Sequence, residues 1–199
     1  MPTGRRPGAI CYSRRWNKVY CAAAYDYCLS VIDGTTNQVI ANVPLGDEPG
    51  DLCSNPATGR VYCTLDSGVV VIDGAEDTVL AFVPTGDYPG VLCCDPQNNR
   101  IFYTLGWSSV AVIDGVTNRV LTVVPADEDA MALCHNPQDN RIYCANYMAD
   151  NVTVIDGASG QVLATVRTGY WPHTLCHNPL DNKVYSIHSY SGDVTVLTA

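Results

Sequence analysis

An all-β chain built from repeated four-stranded units is what this sequence predicts, and three observations predict it. A cysteine in the first apolar stretch of each unit returns at Cys11, Cys53, Cys93, Cys134 and Cys176, with spacings of 42, 40, 41 and 42. An independent marker, "VIDG", starts at Val31, Val71, Val112 and Val154, and a degenerate "VLTA" follows from Val196. Between the markers, short runs rich in Val, Ile, Thr and Tyr are punctuated by Gly, Pro, Asn and Asp, and no apolar stripe at helical spacing is sustained. Four strands in about 41 residues is the signature of a propeller blade. The fold class is therefore all-β: a β-propeller of five four-stranded repeats, the fifth lacking its outer strand.

Each unit carries its elements in one order. A first stretch such as "GVLCC" meets an Asn/Asp-Pro turn, "DPQNNR", where the Asx side chain caps its own turn. "RIFYTL" follows, then a variable loop, then "SVAVID". An Asp-Gly turn leads to the outer stretch "RVLTVV", and a Pro-Gly linker opens the next unit. The repeats fall at about 4–45, 46–85, 86–126, 127–168 and 169–199, within a single domain spanning 1–199.

The "RIYCANYMADNVTVIDGASGQVLATV" pattern, with its "P-G" linkers and "NP-x-x-N-[RK]" turns, resembles the YVTN family of β-propeller repeats over nearly the whole chain. Cysteine stands where that family more often has Ala or Val. The resemblance implies strands a to d running from the inner to the outer edge of each blade. It supports the fold more than any activity, because propellers host many unrelated functions.

"MPTGRRPGA" aligns with "VPTGDYPGV", so Met1 matches only the last residue of an outer strand, and the fifth copy stops just after strand c. The edge of "DVTVLTA" is then a template for another chain. Assembly with copies of itself, or excision from a longer propeller, is expected; closure of five blades by face packing is the alternative.

A formal charge of −9 argues against a nucleic-acid partner. No apolar run reaches the ~20 residues of a membrane helix, and no signal peptide is evident at the start, so membrane insertion is not expected. Free thiols favour a cytoplasmic setting, while the resemblance allows a secreted or cell-surface one if the chain is a fragment.

Ten cysteines raise a disulfide or metal reading. Cys11/Cys21, Cys53/Cys63 and Cys134/Cys144 are spaced to face each other across strands a and b, so cross-strand disulfides are one expectation. Tyr103 and Ser186 break the pattern in the other two copies, which favours cysteine as a small apolar filler. No C-x-x-C occurs, and neither a metal nor another cofactor is expected.

The a–b and c–d loops are alike in every copy and are expected to be structural. The opposite face varies. Its d–a and b–c loops gather Asp47, Glu48, Asp87, Asp127, Glu128 and Asp129 with Tyr88, Trp107, Tyr147, Tyr170, Trp171 and Tyr190. Acids interleaved with exposed aromatics suit a protein surface, a cationic peptide or a glycan. The bland expectation is a solvated acidic face whose aromatics pack on neighbouring loops.

The alternative function is a carbohydrate-active enzyme, a glycoside hydrolase or lyase working through paired loop carboxylates. Against it, Asp47, Asp87 and Glu128 share one repeat position, which points to a turn role, and no inner strand is expected to set an isolated acid beside a His or Tyr. No catalytic residue is assigned. His135 and His177 are read as neighbours in successive blades, satisfied by turn backbone, with His173 and His188 on the other face. Arg5, Arg6, Arg14 and Arg15 are read as solvated surface. A non-enzymatic scaffold or binding module, contacting another protein or itself through the open edge or the acidic, aromatic face, is the favoured reading.

Overall fold

The computed structural model describes residues 2–198. Five antiparallel sheets follow one another along the chain, each ordered as in the sequence. Blade 1 contains β1 (Pro7–Ser13), β2 (Lys18–Ala23), β3 (Cys28–Asp33) and β4 (Val39–Pro44); blade 2 contains β5 (Leu52–Asn55), β6 (Arg60–Leu65), β7 (Gly68–Asp73) and β8 (Thr78–Pro84). Blade 3 contains β9 (Pro89–Asp95), β10 (Arg100–Leu105), β11 (Ser109–Asp114) and β12 (Val120–Pro125); blade 4 contains β13 (Ala130–Asn136), β14 (Arg141–Asn146), β15 (Asn151–Asp156) and β16 (Val162–Arg167). Among the described residues blade 5 contains β17 (Pro172–Asn178), β18 (Lys183–His188) and β19 (Val194–Thr198). One 3-10 turn, Ala24–Asp26, is the helical content of the described residues, and no helix is long and apolar enough to cross a membrane. The expectations placed on Met1 and Ala199 lie outside the described residues.

Side chains alternate between the two faces along a strand, and the continuous apolar runs of strands b and c, such as "GVVVID", therefore make both faces of a blade apolar, so the core is the set of seams between blades. In the first seam Tyr20, Leu29 and Val31 of blade 1 meet Val61, Cys63 and Ile72 of blade 2. Tyr62, Phe102 and Tyr143 repeat the role of Tyr20 in the next three seams, all almost fully buried. A blade on its own leaves these faces wet, at about 1.5–3 kcal/mol for each large side chain, so blades are stable only when stacked.

The register separates the cysteines proposed as cross-strand pairs. Cys11 lies opposite Tyr20, and Cys21 opposite Ile10; likewise Cys53 faces Tyr62 while Cys63 faces Leu52, and Cys134 faces Tyr143 while Cys144 faces Leu133. A spacing of ten across this turn leaves the two residues one step out of register, so they project from opposite faces of the blade. All ten thiols are free. Burial pushes the Cys11 and Cys144 thiols up to about 12 and raises Cys53 well above its ordinary value.

The arc is open. β1 packs on β5 and β17 on β13, but β1 and β17 share no comparable packing. Residues Pro2–Arg6 fold back over one corner of blade 1, where the Gly4 amide donates to Ser30 Oγ (3.3 Å) and the Arg5 amide to Asp26 Oδ2 (2.6 Å). At the other end the missing outer strand leaves a mark. Val43, Val83 and Val124 are 3%, 3% and 4% exposed, whereas the equivalent Val166 is 36% exposed.

Candidate functional site

Strand direction sorts the charges onto two faces. The d–a and b–c loops carry eleven acids against three bases (Arg5, Arg6 and Arg167), and the a–b and c–d turns carry nine acids against eight bases. The loop face therefore holds a net −8 of the chain's −9. Two of its three bases are already paired, Arg5 with Asp26 at 2.8 Å and Arg6 with Glu48 at 3.0 Å. Arg15 is also engaged, donating to the Ala57 carbonyl at 2.9 Å. Those three arginines are contact residues and not merely solvated.

Asp47 and Asp87 each accept the next backbone N–H, from Glu48 and Tyr88, both at 2.8 Å, which is the turn role expected of that repeat position. In blade 4 the bond comes one residue earlier: Asp127, not Glu128, accepts from the following amide at 3.1 Å. The cause is local backbone. Blades 2 and 3 place a glycine in the left-handed region before the acid (Gly46, Gly86), and blade 4 instead places Asp129 there at φ 61°.

The twelve face residues do not form one site. Tyr147 stacks on Trp171 (5.4 Å between centroids), Trp171 tilts against Tyr190 (4.8 Å), and Tyr190 meets Tyr170 edge-on (6.0 Å). That cluster is aromatic packing between the loops of blades 4 and 5. Tyr88 and Trp107 stand apart from it, 60% and 78% exposed.

Trp107, Tyr88, Asp87 and Asp129 share a cleft of about 570 Å³ between blades 3 and 4, with Thr104 and Met131 in its wall and Gly90 and Gly106 in its lining. Three loops build the rim, and backbone bonds tie them together: the Asp129 amide donates to the Trp107 carbonyl (2.6 Å) and the Gly106 amide to the Tyr88 carbonyl (2.9 Å). Gly106 has φ +57°, and a Cβ there would fall 2.6 Å from Asp87 Oδ2, so only glycine lets that carboxylate lie against the rim. A neighbouring cleft of about 330 Å³ between blades 2 and 3 is lined by Glu48, Asp51, Asp66 and the other side of Tyr88, whose phenol is raised chiefly by its hydrogen bond with Asp66. A third, of about 530 Å³, holds Asp127, Asp150 and Arg167. Sequence reading missed Asp51, Asp66 and Asp150. They stand at the ends of variable loops, where only the ring geometry brings them next to the marked acids.

The turn face carries the histidine pair. His135 Nε2 lies 3.5 Å from Asp95 Oδ1, and Asp95 is fully buried on the inner strand β9. An inner strand thus does set an acid beside a histidine, contrary to expectation. Nor are His135 and His177 satisfied by backbone, since both Nε2 atoms are buried without a hydrogen-bond partner. Burial holds the His135 imidazole below its usual range. Asp95 takes its bonds from the Gln97 and Asn98 amides and the Asn98 side chain, which is an Asx turn, not a catalytic dyad. On the loop face, His188 Nδ1 and Ser191 Oγ both bond Asp193 Oδ1, so the carboxylate sits between serine and imidazole and no nucleophile–base contact is formed. Among the described residues no three His, Cys, Asp or Glu side chains gather as a metal ligand set.

At the open end, the edge of β19 and the outer strand of blade 4 enclose a slot of about 350 Å³ lined by Leu163, Ala164, Val166, Val196 and Leu197. It lies where an outer strand of blade 5 would run.

No protein-family model matches the chain, and no curated protein matches it. Solved structures do. Kuenenia stuttgartiensis hydrazine synthase superposes with a TM-score of 0.79 at 16% identity, over 100% of this chain and 68% of that one. The β-propeller domain of Myceliophteria thermophila Cps50 (Swd1) gives 0.79 at 10% identity, over 94% and 63%. A chain of the Mitotic Checkpoint Complex gives 0.82 at 12% identity, over 97% and 60%. The chain spans 60–68% of the length of these neighbours. At these identities the likeness is one of fold, and the fold of this chain is a β-propeller.

Proposed function

We propose that this chain is a non-enzymatic binding scaffold of the YVTN-repeat kind, whose loop face takes a cationic segment of a protein partner. The carrying observation is the concentration of −8 net charge on one face around an exposed Trp107. A guanidinium or ammonium group gains from an indole face and from carboxylates together, and the rim of the Trp107 cleft supplies both before any ligand arrives. One structural neighbour belongs to the Mitotic Checkpoint Complex, and service within a protein assembly is the role taken here. The slot beside β19 is a second contact surface in this reading, open to an added strand.

The test is calorimetric titration of the purified chain with octa-arginine and with a panel of neutral oligosaccharides. The expected result is saturable binding of the peptide that weakens with salt and falls at least about tenfold in Trp107→Ala and in the Asp87→Asn, Asp129→Asn double variant. Absence of peptide binding would overturn the reading. So would turnover of an oligosaccharide that is lost in Asp87→Asn, which would instead support a carbohydrate-active enzyme. A glycan bound and left unchanged would retain the scaffold and replace its partner.

A further inference from the structure

We infer that the cleft beside Trp107 is an arginine seat: it takes one guanidinium of the partner segment between the Trp107 indole and the Asp129 carboxylate, in preference to a lysine ammonium. The inference rests on the loop-face reading above and names the side chain that this face selects.

The chain carries its own example of such a seat, two seams earlier. The Arg6 guanidinium lies 5.1 Å from the centre of the Tyr25 ring, and its Nη1 donates to Glu48 Oε1 at 3.0 Å. Three segments meet there. Arg6 is the residue before β1, Tyr25 stands two places beyond the end of β2, and Glu48 stands four places beyond Pro44, the end of β4. A cation is thus held between an aromatic ring of one blade and a carboxylate on the linker that opens the next.

The same places in the seam between blades 3 and 4 hold Tyr88, Trp107 and Asp129. Tyr88 precedes β9, Trp107 stands two places beyond the end of β10, and Asp129 stands four places beyond Pro125, the end of β12. Ring and carboxylate are therefore repeated, with an indole in place of the phenol. The guanidinium is not repeated. Tyr88 stands at its position, with its hydroxyl bonded to Asp66 of the neighbouring cleft, and the cleft of about 570 Å³ opens between Tyr88, Trp107 and Asp129.

The other two seams lack this arrangement. Between blades 2 and 3 the ring position holds Ser67 and the carboxylate position holds Tyr88. Between blades 4 and 5 the carboxylate position holds Trp171, and Tyr147 stacks on it at 5.4 Å. Among the described residues, ring and carboxylate meet without a resident cation between blades 3 and 4 alone.

The acceptors there are free to bind. Asp129 uses only its backbone in hydrogen bonds among the described residues, and Asp87 spends Oδ1 on the Tyr88 amide, which leaves its Oδ2. A guanidinium is planar and weakly hydrated, so it can lie flat on the indole while its edge N–H groups reach both carboxylates. An ammonium is compact and strongly hydrated, and it cannot serve the ring face and two separate carboxylates at once.

The test is calorimetric titration of the whole chain with octa-arginine and octa-lysine, which carry the same charge. Wild type is expected to bind octa-arginine at least about fivefold more tightly than octa-lysine. Trp107→Ala and Asp129→Asn should each abolish that preference, whereas Glu76→Gln, the same loss of charge on the exposed turn between β7 and β8, should keep it. Tyr88→Arg places a guanidinium where Arg6 stands in the first seam, so it should fill the seat from within. Octa-arginine binding should then fall at least about tenfold, and the Trp107 indole signal of the unliganded variant should sit where octa-arginine moves it in wild type. Circular dichroism and thermal melting confirm that the variants fold. Equal binding of the two peptides, a preference that survives Trp107→Ala, or a Tyr88→Arg chain that binds octa-arginine unchanged would each overturn the inference and leave the loop-face reading standing. Binding of neither peptide would overturn both.

Discussion

Lys18 Nζ lies 2.8 Å from Asp77 Oδ2, 59 residues along the chain and in the neighbouring blade. The ammonium is largely withdrawn from water, and two backbone carbonyls complete its shell, from Gly74 at 3.0 Å and Ala75 at 3.2 Å. Lys18→Met removes three charge-assisted bonds and leaves Asp77 buried against an apolar chain. The expected loss is about 2 kcal/mol in chemical denaturation. Arg119→Ala, in a turn where the side chain makes no hydrogen bond among the described residues, should change stability by no more than about 0.5 kcal/mol.

Asp95 stands at a repeat position that holds Ser13 in blade 1 and Asn55, Asn136 and Asn178 in the other three. Asn55 and Asn136 donate across the seam to Asn99 Oδ1 (2.6 Å) and Asn182 Oδ1 (2.8 Å), and Asp95 has no proton to do so. Asp95→Asn should restore that bond and remove a buried carboxylate, raising stability by about 0.5–2 kcal/mol at neutral pH. A lower melting temperature in this variant would show that the contact with His135 outweighs the seam bond.

How far the sequence reaches is clear from these two cases. Spacing alone located five blades, because a blade cannot bury its faces unless its apolar pattern repeats in phase. The basic residue opening strand b was visible too, inside the "NP-x-x-N-[RK]" turns, but its role was not, since its partners lie in the next repeat about 55 residues on. The cysteine pairs failed on register: a ten-residue spacing reads as opposition unless the turn length is known to the residue. The face aromatics divided into a packed cluster and a free tryptophan for a similar reason, because Trp107 and Trp171 differ only in which loops the ring brings beside them.

Thiol chemistry should be uneven. Burial raises Cys94 to about 12 and Cys134 to about 11, and Cys63 is raised well above its usual range, so few thiolates form at pH 8. Cys176 is the exposed one. A thiol reagent followed by peptide mapping should label Cys176 first, with Cys53, Cys63 and Cys144 labelled only after unfolding. Uniform labelling of all ten in the native protein would contradict the seam packing.

Acid should unfold the protein in two stages. His135 is held below its ordinary value of 6.5 by burial, so its neutral form stabilises the fold above that pH, and the contribution is lost as pH falls through its lowered value. Asp33, Asp114 and Asp156 sit below their ordinary 3.8 because turn N–H and hydroxyl groups donate to their carboxylates. Their contribution is full above 3.8 and is lost as pH falls through those lower values. Melting temperatures taken against pH should show both losses, and Asp114→Asn, which keeps the acceptor oxygen but cannot titrate, should shrink the lower one.

The most direct measurement is an indole nitrogen–proton spectrum recorded during titration with octa-arginine. Trp16 donates its ring N–H to the Gly59 carbonyl at 3.0 Å on the opposite face, so it serves as an internal control beside Trp107. The Trp107 signal is expected to move saturably while Trp16 stays still, and salt to reverse the movement. A still Trp107 signal, or one that moves equally with Trp16, would contradict the claim that the acidic loop face is where this scaffold binds.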